Sequence, residues 1–357
     1  MRGPNDLRER IACALCARTQ SVIIERYGYN TSKLAVCCSG KWKGKRLFAK
    51  ILLADPYPIP PRFRAPWESA SSRTSVPVRA ITEQIDAEWN MTLKMLRLSG
   101  GRSVPLPLGR SLAARTIVWE EAGGTSLVRA LKWSGWRSSM AEAGAEALLK
   151  AGNWLRGVHD ASQEGMEVVA ARDLIETVIE SSRQNQDDAG HYEGVASRIL
   201  ERWLTNGATN DSFKVPVALT HGDFCLSNLL WNTAERQLAV IDFELSGFRP
   251  IYYDLFALVA DLRAMLLNPL IPKSVIHSWE QSFWQGYGST PTDVLEFVKA
   301  LALARVFYYH FSRLLTRRQR KGWIGGINAQ LYRTFLEPRI ITHRLDLPRD
   351  FAHSRRS

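Results

Sequence analysis

The chain has 357 residues, of which 45% are hydrophobic, and a formal net charge of +12. This length and apolar content are enough to bury a substantial core divided between two subdomains. No apolar run is long enough to cross a bilayer, so we expect a globular, cytoplasmic protein. The five cysteines are odd in number and irregularly spaced, which argues against a disulfide framework.

An alternating strand is predicted at residues 46–53, and it contains a lysine on an apolar face. Lys50 shares that face with Phe48 and Leu52. A buried ammonium needs an anionic partner, and the helix predicted at residues 78–98 directs Glu88 inward. We therefore expect Lys50 to pair with Glu88. The alternative is that Lys50 extends to solvent from an edge strand.

The middle and end of the chain follow a largely helical pattern. A β-branched strand at residues 116–119 precedes a Glu-Glu-Ala-Gly-Gly segment, after which a new helix begins. Helices are predicted at residues 141–159 and 293–316 from their apolar stripes. The Pro-, Ser- and Arg-rich stretch 54–77 and the polar stretch 181–194 are predicted to be loops.

Three short apolar runs surround the polar residues that we consider functional. Residues 215–219 form a strand that stops at the turn His221-Gly222-Asp223. Residues 229–231 and 238–241 are predicted to pair as an antiparallel hairpin, because a polar connection separates them.

Folding that hairpin about its turn brings Asn228 beside Asp242. A carboxylate and an amide oxygen with room for water suit an octahedral Mg²⁺ ion. Asp223 lies on the neighbouring turn, where it can serve as a base. These are the parts that phosphoryl transfer needs, because its catalysis is mostly positioning and charge neutralisation.

The segment HGDFCLSN resembles the H-G-D-x4-N catalytic loop of the aminoglycoside phosphotransferase and choline kinase family. IDFE is similar to that family's metal-binding D-[FW]-[EG], and YYDL to its Y-D-L signature. The resemblance implies that Asp223 is the catalytic base. It implies that Asp242 is the principal Mg²⁺ ligand and Asn228 a second-metal ligand.

The resemblance also implies supporting roles in and around this loop. Asp254 would brace the catalytic loop from inside the C-terminal lobe, and His221 would orient it. Two alternatives stay open for Glu244, a further metal-facing acid or a solvated residue at the end of the strand.

A nucleotide-holding lobe is implied upstream of the catalytic loop. Lys50, fixed by Glu88, would face the nucleotide phosphates. Residues 27–32 are similar to the family's phosphate-covering turn through Gly28 and Asn30, with a plain hairpin turn as the alternative.

Segment 120–124 is where the family's hinge between the lobes belongs. In the family, the backbone of this hinge hydrogen-bonds adenine, which assigns Glu120 and Ala122 to nucleotide binding.

The implied fold is α+β and protein-kinase-like, with a small β-rich N-terminal lobe and a larger, mainly helical C-terminal lobe. We expect an N-terminal extension at residues 1–20, a nucleotide-binding lobe at 21–122, a catalytic and acceptor-binding lobe at 123–345 and a basic tail at 346–357. The implied cofactors are ATP, with GTP as the alternative, and Mg²⁺.

The distribution of charge bears on the acceptor. Residues 255–357 contain 15 Lys or Arg against 7 Asp or Glu, and in the family this region forms the acceptor side. A cationic surface repels polycationic aminoglycosides, so a hydroxyl of a small molecule such as an acidic or phosphorylated sugar or a glycan is favoured. A lipid headgroup at an anionic membrane face would also suit it. A solvated basic surface without a ligand is the alternative.

Other functions compete with this prediction. Clustered aromatic residues favour a choline- or ethanolamine-type amino alcohol kinase as one alternative, although aromatics at helical spacing are more often core. The aromatics in question are Trp279, Trp284, Tyr308, Tyr309 and Trp323. A catalytically silent kinase-like binding protein is another, because the phosphate-covering turn is poor in glycine. Nucleic-acid binding is not expected, because no recognised nucleic-acid module accompanies the charge.

Overall fold

The structure, a computed structural model, describes most of both predicted lobes. The described residues are 4–30, 35–52, 81–101, 103–132, 138–170, 212–268 and 270–306. The predicted loops 54–77 and 181–194, the second half of the predicted helix 293–316 and the basic tail 346–357 lie outside these ranges. Within them, no helix is both long and apolar enough to span a membrane.

A five-stranded antiparallel sheet with the order β1-β2-β3-β5-β4 forms the N-terminal lobe. Its strands are β1 Val22–Asn30, β2 Ala35–Trp42, β3 Lys45–Leu52, β4 Pro107–Ser111 and β5 Thr116–Glu120. Because β3 pairs with β2 on one side and β5 on the other, Lys50 lies on an inner strand. The alternative of an edge-strand lysine reaching solvent is therefore wrong.

Strand β1 is longer than the sequence indicated. We predicted a turn over residues 27–32, but Gly28 pairs with Cys37 and Asn30 with Ala35 inside the ladder between β1 and β2. Glycine weakens a strand interior, but the pairs Tyr27–Cys38 and Tyr29–Val36 continue the ladder before and after Gly28. The connecting residues 31–34 lie outside the described ranges.

The two faces of the sheet are covered by two different helices. Helix α1, Pro4–Ala14, places Leu7 and Ile11 one turn apart against the face that displays Leu47 and Ile51. This helix lies in the segment that we expected to be an extension, and its described residues are packed on the lobe.

Helix α2, Ile81–Leu98, covers the opposite face of the sheet. Its Ile85 and Trp89 pack with Phe48 and Leu52, the neighbours of Lys50 on β3. The alternation predicted for β3 is therefore confirmed, and Lys50 points toward α2.

The C-terminal lobe is mainly helical and surrounds one large core. The helices among its described residues are α3 Leu127–Lys132, α4 Ser138–Ser162, α5 Tyr252–Ala264, α6 Lys273–Tyr287 and α7 Thr292–Arg305. Helices α4 and α6 approach closely at Gly152 and Gly286, where a Cβ on either residue would collide with a backbone carbonyl of the other helix. The fold is thus α+β with two lobes, as predicted.

Two small sheets position the polar turns of this lobe. One contains β7 Gly165–Ala170, β8 Ser212–Thr220 and β11 Gly247–Pro250, and the other β6 Thr125–Ser126, β9 Leu229–Asn232 and β10 Gln237–Val240. The predicted hairpin is present as β9 and β10, with Leu229 opposite Val240. The turns after β8 and β10 meet at the junction between the lobes.

Candidate active site

The turn that follows β8 is fixed by a buried aspartate in the first turn of α5. Asp254, 0% exposed, accepts hydrogen bonds from the backbone N–H groups of His221 at 2.7 Å and Gly222 at 2.8 Å. Its Oδ2 also lies 3.3 Å from Nε2 of His159. Both carboxylate oxygens of Asp254 therefore accept hydrogen bonds from the loop backbone, as expected of a residue that braces this loop.

Gly222 is required at the sharpest point of this turn. Its φ of 81° lies in the left-handed region, and a Cβ there would collide with the backbone carbonyl oxygen of Leu245. The turn can therefore pass close to the segment after β10 only because this residue has no side chain.

His221 joins the two turns through its imidazole ring. Nδ1 accepts a hydrogen bond from the backbone N–H of Asp223 at 3.3 Å, while Nε2 donates to the carbonyl oxygen of Ile241 at 3.0 Å. This pattern places the ring proton on Nε2. His221 thus orients the loop, because both of its ring nitrogens form hydrogen bonds with backbone groups.

Asp223 is held by a neutral side chain. The Asn228 amide Nδ2 donates to the Asp223 side-chain oxygen Oδ2 at 3.0 Å and to its backbone carbonyl at 2.9 Å. Asn228 is only 6% exposed, so its amide is fixed by packing as well. The structure therefore brings Asp223 and Asn228 into direct contact.

Asp242 lies beside Asn228 because of the hairpin. The backbone N–H of Ile241 donates to the backbone carbonyl of Asn228 at 3.0 Å. The next residue, Asp242, therefore lies at the open end of the β9–β10 hairpin, beside Asn228. Asp242 has a left-handed backbone (φ 72°, ψ 65°) that ends the strand and begins a 3-10 turn, Phe243–Leu245. Its side chain is 22% exposed.

Lys50 crosses from the N-terminal lobe to these residues. Its Nζ lies 2.9 Å from Glu88, 2.7 Å from Glu244 and 3.6 Å from Asp242, so one ammonium faces three carboxylates. The predicted pairing of Lys50 with Glu88 is present. The contact with Glu244 was not predicted, and we refer to these four residues as the Lys50 cluster.

Burial and charge act in opposite directions on this lysine. Burial alone would lower the pKa of Lys50, but the carboxylates of Glu244, Glu88 and Asp242 together hold it well above its ordinary value. Lys50 therefore stays protonated at neutral pH.

The position of Glu244 corrects one of our alternatives. It is 5% exposed, so the prediction of a solvated residue at the end of the strand is wrong. The 3-10 turn that follows Asp242 directs the Glu244 side chain inward, where its carboxylate accepts a hydrogen bond from Lys50.

The remaining nucleotide-binding candidates lie in the N-terminal lobe. Gly28 is in β1, where a Cβ would meet open space among the described residues. Asn30 ends the same strand. Glu120 ends β5, and its carboxylate lies 3.8 Å from Lys45, while Ala122 is in the segment between β5 and β6.

Sequence reasoning missed a second acid on α5. Asp261 accepts a hydrogen bond from the backbone N–H of Leu226 at 3.1 Å, in the later part of the loop. It lies seven residues after Asp254, which puts both on one helix face. That spacing was the signal that could have revealed it.

Cys225, inside the loop, does not behave as an activated thiol. Burial, together with the nearby carboxylates of Asp223 and Asp261, raises its pKa well above the ordinary value. The thiol lies 3.1 Å from the Ser227 hydroxyl. These surroundings do not favour a reactive thiolate at Cys225.

The donor set at the ends of β9 and β10 suits magnesium. Asp242 and Asn228 offer a carboxylate and an amide oxygen, the hard ligands that Mg²⁺ prefers. Among the described residues, no three His, Cys, Asp or Glu side chains form a metal-binding group. A magnesium ion here would thus need further oxygens from nucleotide phosphates and water, as is usual for this ion.

Comparisons with known proteins identify relatives of this fold. A family described as "Phosphotransferase enzyme family" matches residues 95–299. Among solved structures, the amicoumacin kinase hAmiN, in complex with AMP-PNP, Ca²⁺ and Ami, is similar with a TM-score of 0.54 and 12% identity, covering 95% of this chain and 94% of that one. A choline/ethanolamine kinase family protein from Mesorhizobium loti has a TM-score of 0.51 and 14% identity, with 97% and 96% covered.

The search of curated proteins finds no match. The solved structures show the fold, and the family match extends over more than half of the 357 residues. The chain belongs to the phosphotransferase enzyme family.

Proposed function

We propose that this protein transfers the γ-phosphate of ATP to a hydroxyl group of a small molecule. The observation that supports this most directly is the convergence of Asp223, Asn228, Asp242 and Lys50 at the junction between the lobes. A base, two oxygen ligands and a phosphate-facing cation are what phosphoryl transfer requires.

Asp223 is the proposed catalytic base. Its carboxylate accepts a hydrogen bond from the acceptor hydroxyl and aligns the oxygen with phosphorus. As the new O–P bond forms, the bond from phosphorus to the bridging oxygen of ADP breaks, and the hydroxyl proton passes to Asp223. The neutral Asn228 amide supports this role because it orients the carboxylate through a hydrogen bond.

Lys50 is the proposed phosphate ligand, held in place by Glu88 on α2. Because its ammonium stays protonated, it can offset negative charge on the nucleotide. Asp242 and Asn228 would hold Mg²⁺, which neutralises phosphate charge when bound. The AMP-PNP in the complex of the related amicoumacin kinase supports an adenine nucleotide.

The acceptor is proposed to be a sugar or glycan hydroxyl. Residues 255–268 and 270–306 contain four Lys or Arg and four Asp or Glu, so the basic surplus of this region comes from residues 307–357, outside the described ranges. The preference over polycationic aminoglycosides therefore rests on the charge of that final segment.

An amino alcohol acceptor is the second candidate, favoured by the fold shared with a choline/ethanolamine kinase family protein. One of its proposed aromatic residues is unsuitable. Trp279 is 0% exposed, and its indole N–H donates to the Ala141 carbonyl at 3.0 Å, so it belongs to the core.

The test is ADP release with a panel of acceptors in the presence of Mg·ATP. The panel contains neutral sugars, sugar phosphates, choline, ethanolamine and aminoglycosides. We expect release with a sugar and its loss in Asp223→Asn. Nucleotide binding without release on any acceptor would instead identify a catalytically silent binding protein.

A further inference from the structure

The shortest contact of Lys50 is with an acid that our proposed mechanism does not use. Lys50 Nζ lies 2.7 Å from Glu244 and 2.9 Å from Glu88, and the three side chains are 2% to 6% exposed. Glu244 is two residues after Asp242, the proposed metal ligand. Lys50 therefore contacts both Glu244 and the proposed metal ligand, Asp242.

Three carboxylates surround the Lys50 ammonium in the Lys50 cluster. One ammonium is matched against the carboxylates of Glu88, Glu244 and Asp242, all within 4 Å of its Nζ. A nucleotide phosphate brings more negative charge to the same ammonium. Because the site is buried, repulsion between a phosphate and these carboxylates is poorly screened. A phosphate oxygen that reaches Lys50 therefore takes the place of one of them.

The two strongest partners of Lys50 differ in how firmly they are held. Glu88 lies in the middle of the 18-residue helix α2, and its backbone carbonyl accepts a hydrogen bond from the Thr92 hydroxyl at 2.7 Å. Glu244 lies in a 3-10 turn of three residues. A turn of that length changes conformation at lower cost than the centre of a helix.

We propose that Glu244 competes with the nucleotide phosphate for Lys50 and thereby makes nucleotide binding depend on a divalent cation. This inference rests on the proposed function. Displaced from Lys50, the Glu244 carboxylate lies beside Asp242 and the incoming phosphate. Glu244, Asp242 and the phosphate are then three neighbouring negative charges that repel one another. A divalent cation at Asp242 reduces this repulsion.

The experiment measures the dissociation constant of AMP-PNP by calorimetry, once with excess EDTA and once with excess Mg²⁺. The variant is Glu244→Gln, which keeps the shape of the side chain and removes its charge. We expect the metal-free affinity to rise about tenfold, within the usual range for coupled sites. The affinity with Mg²⁺ should change much less. The ratio of the dissociation constant in EDTA to that in Mg²⁺ should therefore fall.

Two variants serve as comparisons. Glu146→Gln removes the same charge from a surface pair with Arg236 and should leave the ratio unchanged. Glu88→Gln should weaken binding in both conditions, because Lys50 loses its helical anchor. Should Glu244→Gln fail to fold, Glu244→Asp, which keeps the charge but shortens the reach toward Lys50, should still lower the ratio.

The outcomes separate this inference from the function on which it rests. If the wild-type protein binds Mg·AMP-PNP and Glu244→Gln shows the wild-type ratio, competition by Glu244 is refuted while the proposed function stands. If the wild-type protein binds no AMP-PNP in either condition, both are overturned.

Discussion

On the C-terminal side of the junction Asp223 is held by a neutral amide, whereas on the N-terminal side Lys50 is held by three carboxylates. The loop that contains Asp223 is fixed through its backbone, by Asp254 at one end and Asp261 at the other. The contacts of Lys50 are between charged side chains.

This difference separates contacts that persist from contacts that exchange. The hydrogen bonds that backbone N–H groups donate to Asp254 involve no atom that reacts, so they can stay intact through turnover. The ion pairs of Lys50 use the same ammonium that the phosphate needs. We therefore expect loop variants to change transfer or stability, and variants of the Lys50 cluster to change nucleotide binding.

The largest effect on stability is expected from Lys50→Met. It leaves three neighbouring carboxylates without their shared cation, which should lower the free energy of unfolding by about 3–5 kcal/mol. Urea denaturation of variant and wild type measures this difference.

The matched control is Lys41→Met, on the neighbouring strand β2. Lys41 pairs with Glu25 at 2.9 Å, but its side chain is 50% exposed, so the loss should be at most about 1 kcal/mol. Equal losses in the two variants would show that burial does not distinguish the Lys50 cluster from a surface pair.

A smaller effect is expected when the loop loses one of its anchors. Asp254→Ala removes the acceptor of two buried N–H groups and should cost about 2–4 kcal/mol, while Asp261→Ala removes the acceptor of one and should cost about 1–2 kcal/mol. Thermal unfolding of both variants shows which substitution destabilises the protein more. A greater loss in Asp261→Ala would reverse the importance that we assign to the two ends of the loop.

The smallest effect concerns Cys225. A raised pKa keeps the thiol protonated, and the thiolate is the reactive form, so alkylation of Cys225 at pH 8 should be much slower than that of the exposed Cys13 and Cys16. Mass spectrometry after iodoacetamide treatment identifies the labelled residues. Rapid labelling of Cys225 in the folded protein would contradict its buried, anionic surroundings.

Much of this site could be predicted because its signals are local. Alternation along β3 placed Lys50 on an apolar face, and helical spacing placed Glu88 opposite it. Each inference needed only the spacing at which side chains return to the same face of one strand or one helix. The hairpin of β9 and β10 likewise placed Asn228 next to Asp242 from two apolar runs and a polar connection.

The parts that could not be predicted depend on single backbone conformations or on distant packing. The left-handed backbone of Asp242 and the turn after it decide that Glu244 points inward, and no periodic pattern encodes that direction. Gly28 favours a turn by itself, yet the ladder with β2 keeps it in a strand. The packing of α1 on the sheet joins residues about 40 positions apart, such as Ile11 and Ile51.

The most direct test of the central assignment compares Asp223→Asn with Asp242→Asn in one experiment, measuring the affinity for Mg·AMP-PNP and the rate of phosphate transfer from Mg·ATP. We expect Asp223→Asn to bind the nucleotide as the wild type does and to lose about 10²–10⁴-fold in transfer rate. Asp242→Asn should bind Mg·AMP-PNP more weakly. Transfer by Asp223→Asn at the wild-type rate would contradict the account.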